Sequence, residues 1–368
     1  MQQEGAYAEV ASGLDLHVAK RAGFQADRII LDGLYKSART LREAIRYKIN
    51  LINVESFSEM ERINKIAGEM GVKQSVGIRV NLYRKRMSFK SMYKSLYCHP
   101  DSRFGFSIDT AYLVFRRASK FENLQITGIL THPYYETVAS LPALCSFIKR
   151  IQSELGIELQ YINFGGGFRS TWSISPIDLI KDFFRQKIGL KSKLDKEKKS
   201  TDIEKISALI ANTLKKRLTD MPEPSIVFEP GHNLVNDAGL LLLRVGCIKE
   251  ASGCKWIVVD GGTNLIPIYT ERRELIVANR ASAPPAETVN VVGPLLYGMD
   301  FIAIKTRLPR IKEGDLLAVL NSGPYTISFS TQFLYPRPPV VLLDHNASIK
   351  EIRDKETYEE VVHLDKVA

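Results

Sequence analysis

Short apolar runs alternate with longer amphipathic ones from the start of the chain to about residue 235. Seven of the short runs, over 7–10, 28–31, 51–54, 75–81, 125–131, 159–164 and 225–228, have the length and residue types of β-strands. Between them the spacing predicts helices over 38–47 after the N-cap Ser37, over 56–70 opening at Glu55-Ser56, over 108–119 and over 202–216. Strand and helix in alternation predict a parallel sheet wound with helices. A closed barrel of this kind takes eight strand–helix units of roughly 30 residues each. The seven strands leave the count one unit short, with two sheet edges to protect. The opening Met1-Gln-Gln-Glu-Gly5 reads as the tail of a helix and its glycine stop. After about residue 236 the pattern turns β-rich, with strands over 240–249, 256–259, 288–292, 315–320 and 340–343 that predict an antiparallel β-domain. A short charged helix over 353–362 follows. The predicted domains are an α/β barrel over 1–236 and a β-domain over 237–368.

Composition narrows the class. With 45% hydrophobic and 25% charged residues in 368, the chain can bury large cores and is not a disordered protein. The net charge of +10 is concentrated in Asn81-Leu-Tyr-Arg-Lys-Arg-Met-Ser-Phe-Lys90 and in 187–199. The second run mixes in Asp195 and Glu197 and lacks interleaved aromatics, so a solvated loop explains it better than nucleic-acid binding. Cys98, Cys145, Cys247 and Cys254 are widely spaced and form no metal-binding pattern, which predicts free thiols in a reducing cytoplasm and no metal site. No apolar run reaches the length of a membrane span, and no signal-peptide profile opens the chain.

Two strand ends carry candidate chemistry. Tyr161-Ile-Asn-Phe-Gly-Gly-Gly-Phe168 is an apolar strand that empties into three glycines, where backbone N–H groups can converge on an anion such as a phosphate because no Cβ intervenes. A plain turn is the competing explanation. Ser225-Ile-Val-Phe-Glu-Pro-Gly-His232 repeats the design and places the carboxylate of Glu229 beside a tight turn. Adjacent strand ends of this kind are where a barrel of parallel strands holds a phosphate.

In their order these segments resemble the fold-type III pyridoxal-phosphate decarboxylases, the diaminopimelate, ornithine and arginine decarboxylase family. The resemblance runs through Val10-Ala-Ser-Gly13, Ser102-Arg-Phe-Gly105, Asn163-Phe-Gly-Gly-Gly-Phe168, Glu229-Pro-Gly231, Val259-Asp-Gly261, Gly293-Pro294, Gly323-Pro-Tyr-Thr326 and Glu356-Thr-Tyr-Glu-Glu360. It implies an alanine-racemase-like (β/α)8 barrel with a C-terminal β-domain, pyridoxal 5'-phosphate as cofactor, and an amino acid as substrate. It also implies a cytoplasmic homodimer whose subunits share active sites. By the same resemblance Gly165, Gly166, Gly167 and Gly231 hold the cofactor phosphate, and Glu229 pairs with the pyridine nitrogen. Arg79 lies near that glutamate or serves a structural ion pair, and His132 stacks on the ring. His232 and Tyr325 approach the phosphate, Tyr325 being otherwise a packed aromatic. Asp260 meets the substrate's distal end or simply forms a turn.

Several positions depart from the family pattern. The lysine that holds the cofactor covalently belongs to a segment just upstream of the part equivalent to residues 6–12, and neither Lys20 nor Lys36 matches its motif. Leu296 stands at the family's proton-donating cysteine and Tyr297 at the acidic residue beside it, so that either Tyr297 or water returns the proton or the step does not occur. His232 replaces an arginine, Ile266 precedes Pro267 where diaminopimelate-type members carry an arginine, and Pro133 follows His132 in place of a small residue. Leu296, Tyr297 and Ile266 make an apolar substrate end, which points to a substituted or conjugated diamino acid. Two readings follow: a decarboxylase of diaminopimelate/ornithine type, shortened at its start, with catalysis resting on Glu229 and Tyr297; or a non-catalytic relative acting as a binding or regulatory subunit.

Overall fold

The computed structural model describes residues 1–82, 103–132, 137–168, 203–266 and 274–366. Most of the first basic run, all of the second, Cys98, Pro133 and Pro267 lie outside the described residues. The described residues form two compact units, one from 1–168 and 203–230 and the other from 231–366.

The first unit is a curled parallel sheet. Its strands are β1 (Ala8–Val10), β2 (Ile29–Leu31), β3 (Leu51–Val54), β4 (Gln74–Asn81), the two-residue β5 (Phe106–Ser107), β6 (Leu124–Leu130), β7 (Tyr161–Asn163) and β8 (Ser225–Val227). The sheet runs β1-β2-β3-β4-β6-β7-β8, with β5 paired to β4 off the main path, and every pair is parallel. All seven predicted strands are present; β5 is too short to carry a periodic signal. Helices α1 (Gly13–Arg21), α2 (Ala38–Tyr47), α3 (Phe57–Glu69) and α4 (Ile108–Arg116) cross between strands. Each opens on a serine whose hydroxyl accepts a backbone N–H three residues on: Ser12 from Asp15, Ser37 from Thr40, Ser56 from Glu59 and Ser107 from Thr110. Helices α5 (Thr137–Leu155) and Ile203–Arg217 follow β6 and β7. The opening segment is a single 3-10 turn, Gln2–Glu4, stopped by Gly5 in the left-handed conformation.

Register sorts the side chains of this sheet into two populations. Paired residues of parallel strands share a face. One face runs Val10–Leu31–Ile52–Val76 and on through Ile78, Ile129 and Ile162, and is buried in the apolar core. The opposite face runs Asn53–Gly77–Gly128–Tyr161 and Arg79–Leu130–Asn163, with Glu9 beside Ile30 and Leu51. The inner face is therefore polar, and the helices cover the apolar one. Gly77 and Gly128 are glycine because the ring of Tyr161 lies across them: a Cβ at Gly77 would collide with the phenol oxygen, and one at Gly128 with the ring edge.

The second unit holds a six-stranded sheet in the order β11-β14-β9-β10-β12-β13. Its strands are β9 (Leu241–Ala251), β10 (Cys254–Val259), β11 (Leu275–Val277), β12 (Glu287–Val292), β13 (Phe301–Leu308) and β14 (Leu316–Val319). All pairs are antiparallel except β10–β12, which is parallel. β15 (Val340–Leu343) and β16 (Ile349–Arg353) form a separate hairpin. The helix expected over 353–362 is shorter: Arg353 ends β16, and Tyr358–Val362 begins at Thr357, whose capping box with Glu360 fixes the start. Cys145, Cys247 and Cys254 are free thiols. No described helix is long and apolar enough to cross a membrane.

Gly128→Ala is expected to destabilise the fold by about 1–3 kcal/mol in urea unfolding, from overpacking against Tyr161. The same change in a Tyr161→Leu background should cost less; equal costs in both backgrounds would refute the packing account.

Candidate active site

The strand ladder continues past the strand ends and levels the candidate residues. Thr131 N–H donates to the Asn163 carbonyl at 2.7 Å, Phe164 N–H to the Val227 carbonyl at 3.0 Å, and Glu229 N–H to the Gly165 carbonyl at 3.0 Å. His132, Gly165 and Glu229 thus leave neighbouring strands together. Asn163, 1% exposed, ties them. Its Nδ2 donates to Glu229 Oε1 at 2.7 Å and its Oδ1 accepts from Gly165 N–H at 2.8 Å.

The glycine run is constrained by packing as well as conformation. Gly165 and Gly167 have φ of 65° and 81°, which disfavours any side chain there. A Cβ at Gly165 would collide with the His132 imidazole, and one at Gly166 would lie 2.7 Å from the Glu229 carbonyl oxygen. Because Gly165 N–H is already donated to Asn163, the backbone left to face an anion is that of Gly166 and Gly167.

Next to this loop lies a buried ion-pair cluster. Arg79 Nη1 contacts Glu55 Oε1 at 2.6 Å and Asp32 Oδ2 at 3.4 Å, and its guanidinium lies 4.5 Å from the Phe104 ring centroid. Glu55 Oε2 also accepts from Gly105 N–H at 2.5 Å. Burial pushes the Glu55 carboxyl up, against the pull of Arg79 and of the Gly105 N–H. Burial, then the charge of Asp32, pushes Glu229 up to about 7, while Asn163 and Arg79 hold it down. Glu9, across the open end of the curled sheet, is raised to about 8 by burial and then by Glu229, Asp32 and Asp15. Its surface stays open to water, so solvent screens part of that push. Among the described residues four carboxylates, Glu9, Asp32, Glu55 and Glu229, stand around one guanidinium. This excess of acid fits a ligand that brings a protonated ring nitrogen or an ammonium group, and the Gly166–Gly167 backbone fits a phosphate beside it.

The remaining predicted residues lie in the second unit. Tyr325 has φ of 60°, and its ring stands 6.1 Å from His232 and 5.7 Å from Phe329. Gly231 opens a five-residue helix that includes His232. Asp260 Oδ1 accepts the Arg244 N–H at 2.8 Å and its own N–H donates to the Arg244 carbonyl at 3.1 Å, a cross-strand pairing with β9 just past the end of β10. Leu296 is 95% exposed and Tyr297 half exposed, on a loop anchored by Asp300. The Asp300 carboxylate accepts from Thr263 N–H at 2.7 Å and Leu295 N–H at 2.8 Å.

Glu9, Asp32, Glu55 and Asn163 were not anticipated. The signal for two of them was present: Asp32 and Glu55 each stand one residue beyond a predicted strand, as Glu229 does beyond 225–228. Nothing in the sequence marks Glu9, which alternates inside β1, or Asn163, which reads as part of an apolar run.

A carboxyl whose folded pKa is raised favours the fold while protonated, so Glu229 withdraws stability as pH rises from about 4.5 through about 7. The cofactor-free protein is expected to lose melting temperature across that window, and Glu229→Gln to lose less of it. Parallel pH profiles for the two proteins would count against this environment for Glu229.

Comparison with known proteins meets this geometry. Residues 1–236 match the family profile described as pyridoxal-dependent decarboxylase, pyridoxal binding domain. The diaminopimelate decarboxylase of Aquifex aeolicus is 30% identical over 382 residues, covering 97% of this chain and 80% of that protein. The Bacillus subtilis diaminopimelate decarboxylase is 29% identical over 379 residues, covering 99% and 80%. Among solved structures, a diaminopimelate decarboxylase from Methanocaldococcus jannaschii superposes with a TM-score of 0.83 at 25% identity, covering 100% of this chain and 80% of that one. The curled parallel sheet with a separate β-domain is the alanine-racemase-like barrel and C-terminal β-domain of these enzymes. The chain belongs to the fold-type III, pyridoxal-dependent decarboxylase family, with pyridoxal 5'-phosphate as its cofactor.

Proposed function

We propose that the chain is a decarboxylase of a diamino acid, of the diaminopimelate type, working as a cytoplasmic homodimer. The observation that carries this reading is Glu229: it is held by Asn163, follows the glycine loop in space, and stands in a wall with more carboxylates than cations. Pyridoxal phosphate supplies the electron sink for the pair released when the α-carboxylate leaves as carbon dioxide. Glu229 holds a proton on the ring nitrogen, and Arg79, by its charge, keeps Glu229 ionised enough to do so. The Gly166–Gly167 backbone receives the phosphate, and the His132 imidazole, packed on Gly165, presents a flat surface to the ring. Gly231, His232 and Tyr325 are assigned to the phosphate, and Asp260 and Tyr297 to the substrate's far end. With Leu296 at the donor position, the Tyr297 phenol is assigned the returning proton. A diamino acid suits the acidic wall because its amino groups are cations at neutral pH. A structure of the M. jannaschii enzyme in co-complex with L-lysine superposes with a TM-score of 0.82 at 25% identity. The relatives compared above are named as decarboxylases, and no observation favours the regulatory reading.

The test is to add pyridoxal phosphate and meso-diaminopimelate to the purified chain, preceded by a strand that carries the family's cofactor-attaching lysine, and to measure carbon dioxide and free lysine. Both are expected to form only with added cofactor, and Glu229→Gln to lower the rate by about a hundredfold or more, as loss of a charge-stabilising group does. Cofactor bound by the glycine loop, with no carbon dioxide from meso-diaminopimelate, L-ornithine or L-arginine, would replace this reading with a binding role.

A further inference from the structure

One buried titratable group has no part in the reading above. Lys36 is 1% exposed and lies between the ends of β2 and β3. Its Nζ donates to Glu59 Oε1 at 3.0 Å and to the Gly33 carbonyl at 2.7 Å. Glu59 passes the constraint on, because its other oxygen, Oε2, accepts the Glu55 N–H at 2.8 Å. Glu55 in turn holds Arg79 at 2.6 Å. On the other side Gly33 directly follows Asp32, the second carboxylate on Arg79. The Gly33 turn is itself fixed, with φ of 104° and room for no Cβ, since one would lie 2.5 Å from the Ala11 carbonyl oxygen.

A buried ion pair is weak evidence for stability, since an apolar pair of similar volume is often as good. This pair does something an apolar one does not: it pins a backbone N–H and a backbone carbonyl on two different strand exits. We propose that Lys36 is a positioning residue for the active-site guanidinium, its ammonium fixing through Glu59 and Gly33 the two carboxylates, Glu55 and Asp32, that hold Arg79. The inference rests on the assignment of Arg79 and Glu229 to the cofactor. It also gives Lys36 a role other than covalent attachment of that cofactor, because its ammonium is engaged on two sides.

Arg79 acts on Glu229 by charge, so a guanidinium that wanders leaves Glu229 more easily protonated. Glu229 is faced by Glu9 from β1, Asp32 from β2, Arg79 from β4, His132 beyond β6 and Asn163 on β7. Arg79 is the one permanent cation of that set. Loosening it therefore moves the acid-side limit of cofactor binding to higher pH, since a protonated Glu229 does not pair with a protonated ring nitrogen.

The experiment measures the affinity of the purified chain for pyridoxal phosphate across pH in Lys36→Met, Glu59→Gln, Arg79→Met and the Lys36→Met/Arg79→Met double variant, with thermal melting alongside. Lys36→Met is expected to weaken binding near neutral pH by about tenfold and to shift the acid limb upward. Glu59→Gln, which keeps the shape and the acceptor for Glu55 N–H, should shift it the same way by less. The double variant should bind no worse than Arg79→Met alone. Additive losses in the double variant, or a wild-type acid limb in both Lys36→Met and Glu59→Gln, would overturn the inference. So would a pyridoxyl adduct on Lys36 after borohydride reduction and peptide mapping. Wild-type affinity in Arg79→Met is the separate outcome that would remove the site assignment itself, and the positioning role with it.

Discussion

The inner face of the curled sheet is charged, and the rest of the first unit answers to that. Parallel strands share side-chain direction in register, so the apolar alternation that buries Ile52, Ile78, Ile129 and Ile162 under the helices sends Asn53, Arg79, Asn163 and their neighbours inward. A wall of carboxylates in a partly dry space is costly unless each charge has a partner. Arg79 answers for Asp32 and Glu55, and the Asn163 amide and the charge of Arg79 together answer for Glu229. What remains is a surplus of carboxyls that the empty fold relieves by protonation, since burial holds Glu229 up at about 7 and Glu9 at about 8. In the proposed reading a protonated ring nitrogen and an amino group take over that relief as counter-ions, so the cost to the empty fold and the function have one cause.

The fold was legible because periodicity is read off local sequence. The seven strands and the N-caps at Ser37 and Ser56 follow from apolar spacing and capping chemistry, and the structure has them. β11, β13 and β16 were not expected. Leu275–Val277 is too short for a period, Phe301–Leu308 interrupts its alternation with Lys305 and Arg307, and Ile349–Arg353 breaks period two with the consecutive charges Lys350 and Glu351 on an exposed hairpin. The parallel β10–β12 pair is equally invisible, since the direction of pairing is a property of the tertiary path.

The site was legible in a different way. Gly165, Gly166, Gly167 and Glu229 announce themselves as glycines and a carboxylate at strand ends, whereas Arg79 and His132 came only through resemblance to a family. Asp32 and Glu55 obey the same strand-end rule as Glu229, but neither is followed by the proline–glycine turn that sets Glu229 apart in the sequence. Lys36 and Glu59 lie 23 residues apart in the chain, on the approach to one helix and the first turn of the next, and only the fold brings them together. Pairings of that kind have no local signature.

The glycine run shows how one motif answers several demands at once. Positive φ at Gly165 and Gly167 is a backbone requirement, the His132 ring excludes a side chain at Gly165, and the Glu229 carbonyl excludes one at Gly166. Gly165 spends its N–H on Asn163, the residue that also orients the Glu229 carboxylate. The loop assigned to the phosphate and the carboxylate assigned to the ring nitrogen are thus tied through one amide, and their separation is set before any ligand arrives. The proposed assignment asks a cofactor with a phosphate at one end and a basic nitrogen at the other to match that fixed separation, which is why the tripeptide and Glu229 carry more meaning together than either does alone.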